Sequence, residues 1–239
     1  QGVPCNVMAI RACLCLAYTL AGVARFGAGT RGIYRICTYN VLDGLEAQDT
    51  RRLALFRAWV RSQGLDVLGL TEMNDFTPEA LQQLAAECGL PHCHLQEART
   101  GYHLAILSKH PLATFDTGLL SSGMFHGLLH AQVHLDGVFP VHVLVTHLSP
   151  FEAAMRLDEV GLIVRYVRTN IEHHFQPLLL MGDLNSLSPR DRLAHSHERL
   201  RAEIYGRSPR LRRKFLDASG AADYRPLAAL YRAGLREAD

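Results

Sequence analysis

The chain has 239 residues, 48% hydrophobic and 20% charged, with a formal net charge of +2. That length admits one large α/β domain or two small ones, and the apolar content excludes disorder. The near-neutral balance leaves no strongly basic footprint, so nucleic acid is neither demanded nor excluded. The six cysteines, at 5, 13, 15, 37, 88 and 93, form no Cys-x-x-Cys pair. They read as buried free thiols, with a Cys88–Cys93 bridge as the minor alternative.

Residues 1–32 read as a signal or targeting segment. No acidic residue precedes Asp43. Met8-Ala9-Ile10-Arg11 leads into an apolar run from Ala12 to Ala24, and Gly22-Val23-Ala24 offers small residues for cleavage. That is the layout of a secretory signal peptide, with a basic transit peptide or a buried helix as rivals. The run is short for a membrane span. The leader reading slightly favours a secreted protein over an organellar or cytoplasmic one. Residues 33–239 read as one domain without repeats or a clear linker.

Residues 33–42 predict a strand ending in Asn40, turned by Asp43-Gly44. Arg51 to Ser62 predicts an amphipathic helix with Leu53, Phe56 and Val60 on one face, closed by Gly64. Asp66 to Leu70 is an apolar strand ending at Thr71-Glu72. Thr77-Pro78 opens a helix with Leu81, Leu84 and Cys88 inward, stopped by Gly89. His92–Gln96 and His103–Leu107 are strands. Leu129, Ala131, Val133 and Leu135 alternate with His130, Gln132, His134 and Asp136, which predicts a half-exposed strand. Gly137 turns it into Val141–Thr146, ending at His147. Phe151–Asn170 is a long helix. Leu178–Met181 is a buried strand leading to Gly182-Asp183-Leu184-Asn185. The Arg-rich stretch to about residue 214 reads as a solvated face, and Tyr224–Leu235 as a last helix.

Four strands thus end in Asn40, Glu72, His147, and Asp183 with Asn185. A hard cation takes oxygen ligands and keeps several waters, so one or two carboxylates suffice to hold it. Glu72 supplies one, and Asn40 can orient Glu72 or a metal-bound water. Asp183 can align or deprotonate a water, with Asn185 fixing its geometry. His147 can donate to a developing phosphoryl charge. This inventory suits metal-assisted phosphoester hydrolysis better than acyl transfer, because the chain has no Gly-x-Ser-x-Gly elbow. Tyr102 and His103 could touch substrate, although packing at a strand edge is the simpler reading.

The motifs Thr38-Tyr39-Asn40-Val41, Leu70-Thr71-Glu72-Met73, Leu104–Ser108, Val145-Thr146-His147-Leu148 and Gly182–Ser186 stand in one order over residues 33–190. In this the chain resembles the endonuclease/exonuclease/phosphatase superfamily, the deoxyribonuclease I-like fold. Arg156 and Glu159 fit the same pattern. The resemblance implies an α/β protein, a four-layer sandwich of two packed mixed β-sheets flanked by helices. It implies Mg²⁺- or Mn²⁺-dependent hydrolysis of a phosphodiester or phosphomonoester. By position, Glu72 and Asn40 would serve the metal, and Asp183, Asn185 and His147 catalysis. Asn40, His147 and Asn185 would touch substrate. The partner would be a phosphoester, whether nucleic acid, phospholipid or small phosphate ester, met by a monomer without a protein partner.

The same resemblance implies a later Arg-Ile-Asp-Tyr-like strand and a Ser-Asp-His motif, neither of which occurs in the 239 residues. The fold would then be incomplete at its C-terminus, with exposed edges on one sheet. The chain would be a fragment, as the Gln1 start also suggests, or a catalytically inactive relative acting as a binding module.

Overall fold

The computed structural model describes residues 7–9, 20–24, 34–135, 140–172, 176–195 and 208–237. They form two mixed sheets packed face to face, with helices on both outer surfaces. One sheet contains β2 (Leu20–Ala24), β3 (Tyr34–Asn40), β4 (Val67–Thr71), β6 (Leu104–Ser108) and β5 (His92–Gln96), in that spatial order. The other contains β11 (Arg236–Glu237), β1 (Val7–Ala9), β10 (Leu178–Asp183), β9 (Val141–His147), β8 (Leu128–Val133) and β7 (Leu112–Phe115).

The strand sequences explain the layers. β4, β6 and β9 are buried along their whole length, as strands covered on both faces must be. Ile36, Val67, Ile106, Leu129, Val143, Val145, Leu179 and Met181 fill the space between the sheets. Leu68, Leu70, Ala105 and Leu107 point the other way, onto Phe56, Val60, Leu81, Leu84 and Cys88. Those five belong to α2 (Thr50–Gln63) and α3 (Pro78–Cys88). Behind the other sheet, Leu144, Leu178 and Leu180 meet Val160 and Ile163 of α5 (Ala153–Asn170) and Leu227 and Leu230 of the Arg225–Arg232 helix. The implied four-layer α/β sandwich is therefore present.

The boundaries of α2 and α3 follow local chemistry. Asp49 and Thr77 accept the backbone N–H of Arg52 and Ala80 as N-caps, and Gly64 and Gly89 end the helices in the left-handed conformation.

Several expectations need correction. The half-exposed strand predicted around residues 129–135 is buried on both faces, because α5 covers the side that carries His130. The turn predicted at Asp43-Gly44 is present as left-handed backbone at the start of α1 (Leu42–Gln48). The edge of β10 is covered: β1 pairs with it in parallel, Val7 opposite Leu178, and β11 pairs with β1. Cys88 and Cys93 are free thiols, so no bridge joins them. The basic stretch yields a helix, Pro209–Phe215, whose Arg210, Arg212 and Arg213 are solvated as expected, while Lys214 and Phe215 are buried. Of the predicted targeting segment, β1 and β2 are described, and β2 pairs antiparallel with β3. The remainder of residues 1–32 and the turn at Gly137 lie outside the described residues. No described helix is long and apolar enough to cross a membrane.

Candidate active site

Two parallel strand pairs build the site. β3 lies beside β4 with Asn40 opposite Thr71, and β9 lies beside β10 with His147 opposite Asp183. Parallel pairing brings the C-terminal ends of neighbouring strands together, so the polar residues that close four strands emerge at one edge of the sandwich.

Asn40 links the two sheets. Its Nδ2 donates to Glu72 Oε1 at 2.8 Å and to Asp183 Oδ2 at 3.2 Å, while its Oδ1 accepts from Leu42 N at 2.9 Å. Asn40 therefore meets the carboxylates as a donor, with its oxygen turned to the backbone. Of the two expectations for Asn40, orienting Glu72 or a metal-bound water, the hydrogen bond to Oε1 fits the first.

Glu72 has φ +61°, in the left-handed region, as it leaves β4. Its Oε2 accepts Asp43 N at 3.1 Å and its carbonyl accepts Gly44 N at 2.7 Å. The donors come from an unusual turn: Leu42, Asp43, Gly44 and Leu45 all have φ between +43° and +63°. Left-handed residues other than glycine are costly, and such strain persists where surrounding contacts over-determine it. Here those contacts converge on Glu72.

Gly182 and Asn185 shape the opposite wall. Gly182 has φ +126°, and a Cβ there would lie 1.8 Å from Thr146 O. Only glycine lets β10 pass so close to β9. Asn185 N then donates to Asp183 Oδ1 at 2.9 Å, and Asn185 Nδ2 donates to Leu148 O at 2.7 Å. The Asp183 carboxylate is thus held at one oxygen by Asn185 and at the other by Asn40.

His147 stands with Nε2 3.7 Å from Asp183 Oδ2. Burial holds its pKa below the usual range, with Lys214 adding to the depression and Asp183 and Glu72 opposing it. Its Nδ1 is buried and has no hydrogen-bond partner among the described residues. Orphaned buried polar atoms are rare, and at a functional site they mark a place for water or ligand.

The strand-end residues Asn40, Glu72, His147, Asp183 and Asn185 are all brought together. Arg156 and Glu159 take supporting positions one layer back. Glu159 accepts Phe125 N at 2.7 Å and Ser149 N at 2.8 Å, and Arg156 donates to Ser186 Oγ, Ser149 O, Phe151 O and Lys214 O. Of the two residues expected to pack at a strand edge, His103 accepts Ala98 N at its Nδ1. Tyr102 lies against His126 and beside Asp43, whose charge raises the phenol pKa.

Two site residues escape sequence reasoning. His126, 4% exposed, stacks on His147 with centroids 4.3 Å apart and an interplanar angle of 19°. Its Nδ1 shares a 2.7 Å hydrogen bond with Thr100 Oγ1, and burial, reinforced by His147, pushes its pKa down to about 3. Lys214, 5% exposed, donates to Asn185 Oδ1. His126 precedes a strand instead of ending one. Lys214 sits in a run of arginines, and only the apolar Phe215-Leu216 that follows hints at burial.

Among the described residues no three His, Cys, Asp or Glu side chains gather as a closed metal cage. The donor set still suits a hard divalent cation. Mg²⁺ is bound through one or two carboxylates and otherwise by water and substrate oxygens. Glu72 and Asp183 are two carboxylates bridged by one amide.

The two-sheet sandwich thus gathers carboxylate, amide and imidazole groups at one edge. The chain belongs to the Endonuclease/Exonuclease/phosphatase family, whose signature matches residues 37–232. Truncated Caenorhabditis elegans TDP2 is 24% identical, over 62% of this chain and 61% of that one, with a TM-score of 0.49. An endonuclease/exonuclease/phosphatase from Beutenbergia cavernae is 22% identical, over 64% and 47%, with a TM-score of 0.48. ANGEL2, described as a 2′,3′-cyclic phosphatase, is 17% identical, over 67% and 54%, with a TM-score of 0.51. At such identities the likeness is one of fold, and the chain spans only about half to six-tenths of those structures. No curated protein sequence matches it.

Proposed function

We propose that this site hydrolyses a phosphoester, with a divalent cation held at Glu72. The observation that carries the reading is the bridge of Asn40 Nδ2 to both Glu72 and Asp183, with His147 beside the second carboxylate. Mg²⁺ or Mn²⁺ would neutralise phosphoryl charge and lower the pKa of a bound water.

The chain's own groups divide the remaining work. Asn40 and Asp43 N hold the Glu72 carboxylate in one orientation. Asp183, anchored through Oδ1, keeps Oδ2 turned toward the centre, where it can accept a proton from the attacking water. Burial lowers the His147 pKa and so favours the neutral ring, in which one nitrogen is a donor and the other an acceptor. The donor side can meet a non-bridging oxygen as negative charge develops there. Phosphodiester, phospholipid and small phosphate esters all present that oxygen.

The test is hydrolysis of bis(p-nitrophenyl) phosphate with and without Mg²⁺. Turnover should need the cation, and Glu72→Gln and Asp183→Asn should each lower kcat by about a hundredfold or more. Equal turnover in wild type and both variants would overturn the reading. So would a folded wild type with no turnover, the result expected of a binding module.

A further inference from the structure

Lys214 reaches the site from outside every strand-end motif. We propose that it is a positioning residue of the hydrolytic site, one that sets Asn185 and, through it, Asp183. The proposal rests on the hydrolytic reading above, and its geometry can be tested separately.

The connection is continuous. Lys214 Nζ donates to Asn185 Oδ1, Asn185 N donates to Asp183 Oδ1, and Asn185 Nδ2 donates to Leu148 O at the end of β9. Asn185 has φ +48°, a left-handed conformation that needs outside support. Its side-chain amide is held from both ends, by a cation at the oxygen and a carbonyl at the nitrogen. Hydrogen bonds from charged donors are the stronger kind, so Lys214 anchors the amide more firmly than a neutral donor would.

Lys214 is itself held in place. Its backbone carbonyl accepts from Arg156, a guanidinium 1% exposed that also binds Ser186 Oγ next to Asn185. Its Nζ lies over the Phe215 ring, 5.1 Å from the centroid. A buried lysine is expensive unless it has work to do. The charge of Lys214 is also felt at His147, which places it within electrostatic reach of the reacting groups.

Three variants separate charge from hydrogen bonding. Lys214→Met removes both, Lys214→Gln keeps a donor, and Lys214→Arg keeps the charge. Two readouts are compared with Glu72→Gln: kcat and KM on bis(p-nitrophenyl) phosphate with Mg²⁺, and amide hydrogen exchange at Asn185 by NMR. Lys214→Met should lower kcat about tenfold to a hundredfold with KM changed less than about threefold, the signature of misplacement. It should also speed exchange at Asn185 by about fivefold or more. Lys214→Arg should recover most of both. Lys214→Gln should recover exchange protection more than kcat.

Wild-type exchange at Asn185 in Lys214→Met would overturn the proposal. So would an unchanged kcat in that variant when Glu72→Gln inactivates the enzyme. If no protein turns over the ester yet exchange at Asn185 responds to Lys214→Met, the positioning contact stands and the hydrolytic reading falls.

Discussion

Gly182 and Gly69 show how one substitution can have two outcomes. A Cβ on Gly182 would meet the Thr146 carbonyl oxygen at 1.8 Å, and backbone cannot move aside without breaking the β9–β10 pairing. A Cβ on Gly69 would meet Met181 Cε at 2.7 Å and Sδ at 3.0 Å, the far end of a flexible side chain. Gly182→Ala should therefore cost about 3 kcal/mol or more, and Gly69→Ala less than about 1.5 kcal/mol, both measured by urea unfolding. Comparable losses would show that the methionine has no room to turn. At this scale the Gly182-Asp183-Leu184-Asn185 tip was legible, because an apolar run marks a strand and a glycine followed by polar residues marks its exit. Lys214 was not. Its burial depends on Asn185 and Arg156, 29 and 58 positions away, and no local pattern encodes those contacts.

The outer face of β8 and β9 carries a polar network under α5. His130 Nδ1 bonds Tyr166 OH at 2.8 Å, its Nε2 bonds His142 Nδ1 at 2.8 Å, and His142 Nε2 bonds Gln132 Nε2 at 3.1 Å. Phe115 stacks on His130 at 4.2 Å. Burial, with His142 as neighbour, pushes the His130 pKa from the usual 6.5 down to about 3. The unfolded chain then takes up the proton more readily than the folded one. The contribution to stability is complete above pH 6.5 and is lost as pH falls toward 3. Between pH 6.5 and 5 the loss should be on the order of 1–2 kcal/mol for this histidine. The urea midpoint should fall over that range, and His130→Gln should flatten the dependence. An unchanged slope in the variant would assign the pH dependence to other groups, such as His126. The alternation in this strand correctly fixed which residues share a face. It could not say that the histidine face is covered, because α5 arrives from residues 153–170.

Across the whole molecule, function depends on bringing strand ends from two sheets within hydrogen-bond range. Asn40 and Glu72 close one sheet, His147 and Asp183 the other, and the Asn40–Asp183 bond joins residues 143 positions apart. Gly69 and Met181 interlock the sheets between these ends and set their spacing. A site that gathers carboxylates in this way should gain stability when a divalent cation binds it. With Mg²⁺ at about 100 times its dissociation constant, linkage gives ~2.7 kcal/mol, visible as a rise in Tm. Glu72→Gln should abolish the rise. A rise that survives in Glu72→Gln would move the cation elsewhere.

The family resemblance carried by the motifs implied the two-sheet sandwich, and the strand ends nominated Asn40, Glu72, His147, Asp183 and Asn185. Each of those residues ends a strand or follows its end within two positions, and strand periodicity and turn chemistry are local properties of sequence. Folding in three dimensions settled what lies around them. It turned Asn40 into a bridge, stacked His126 on His147, sealed β8 beneath α5 and drove Lys214 into the site. Each of those outcomes depends on burial against a distant element, and burial is a property of the packed molecule, absent from any short stretch of chain.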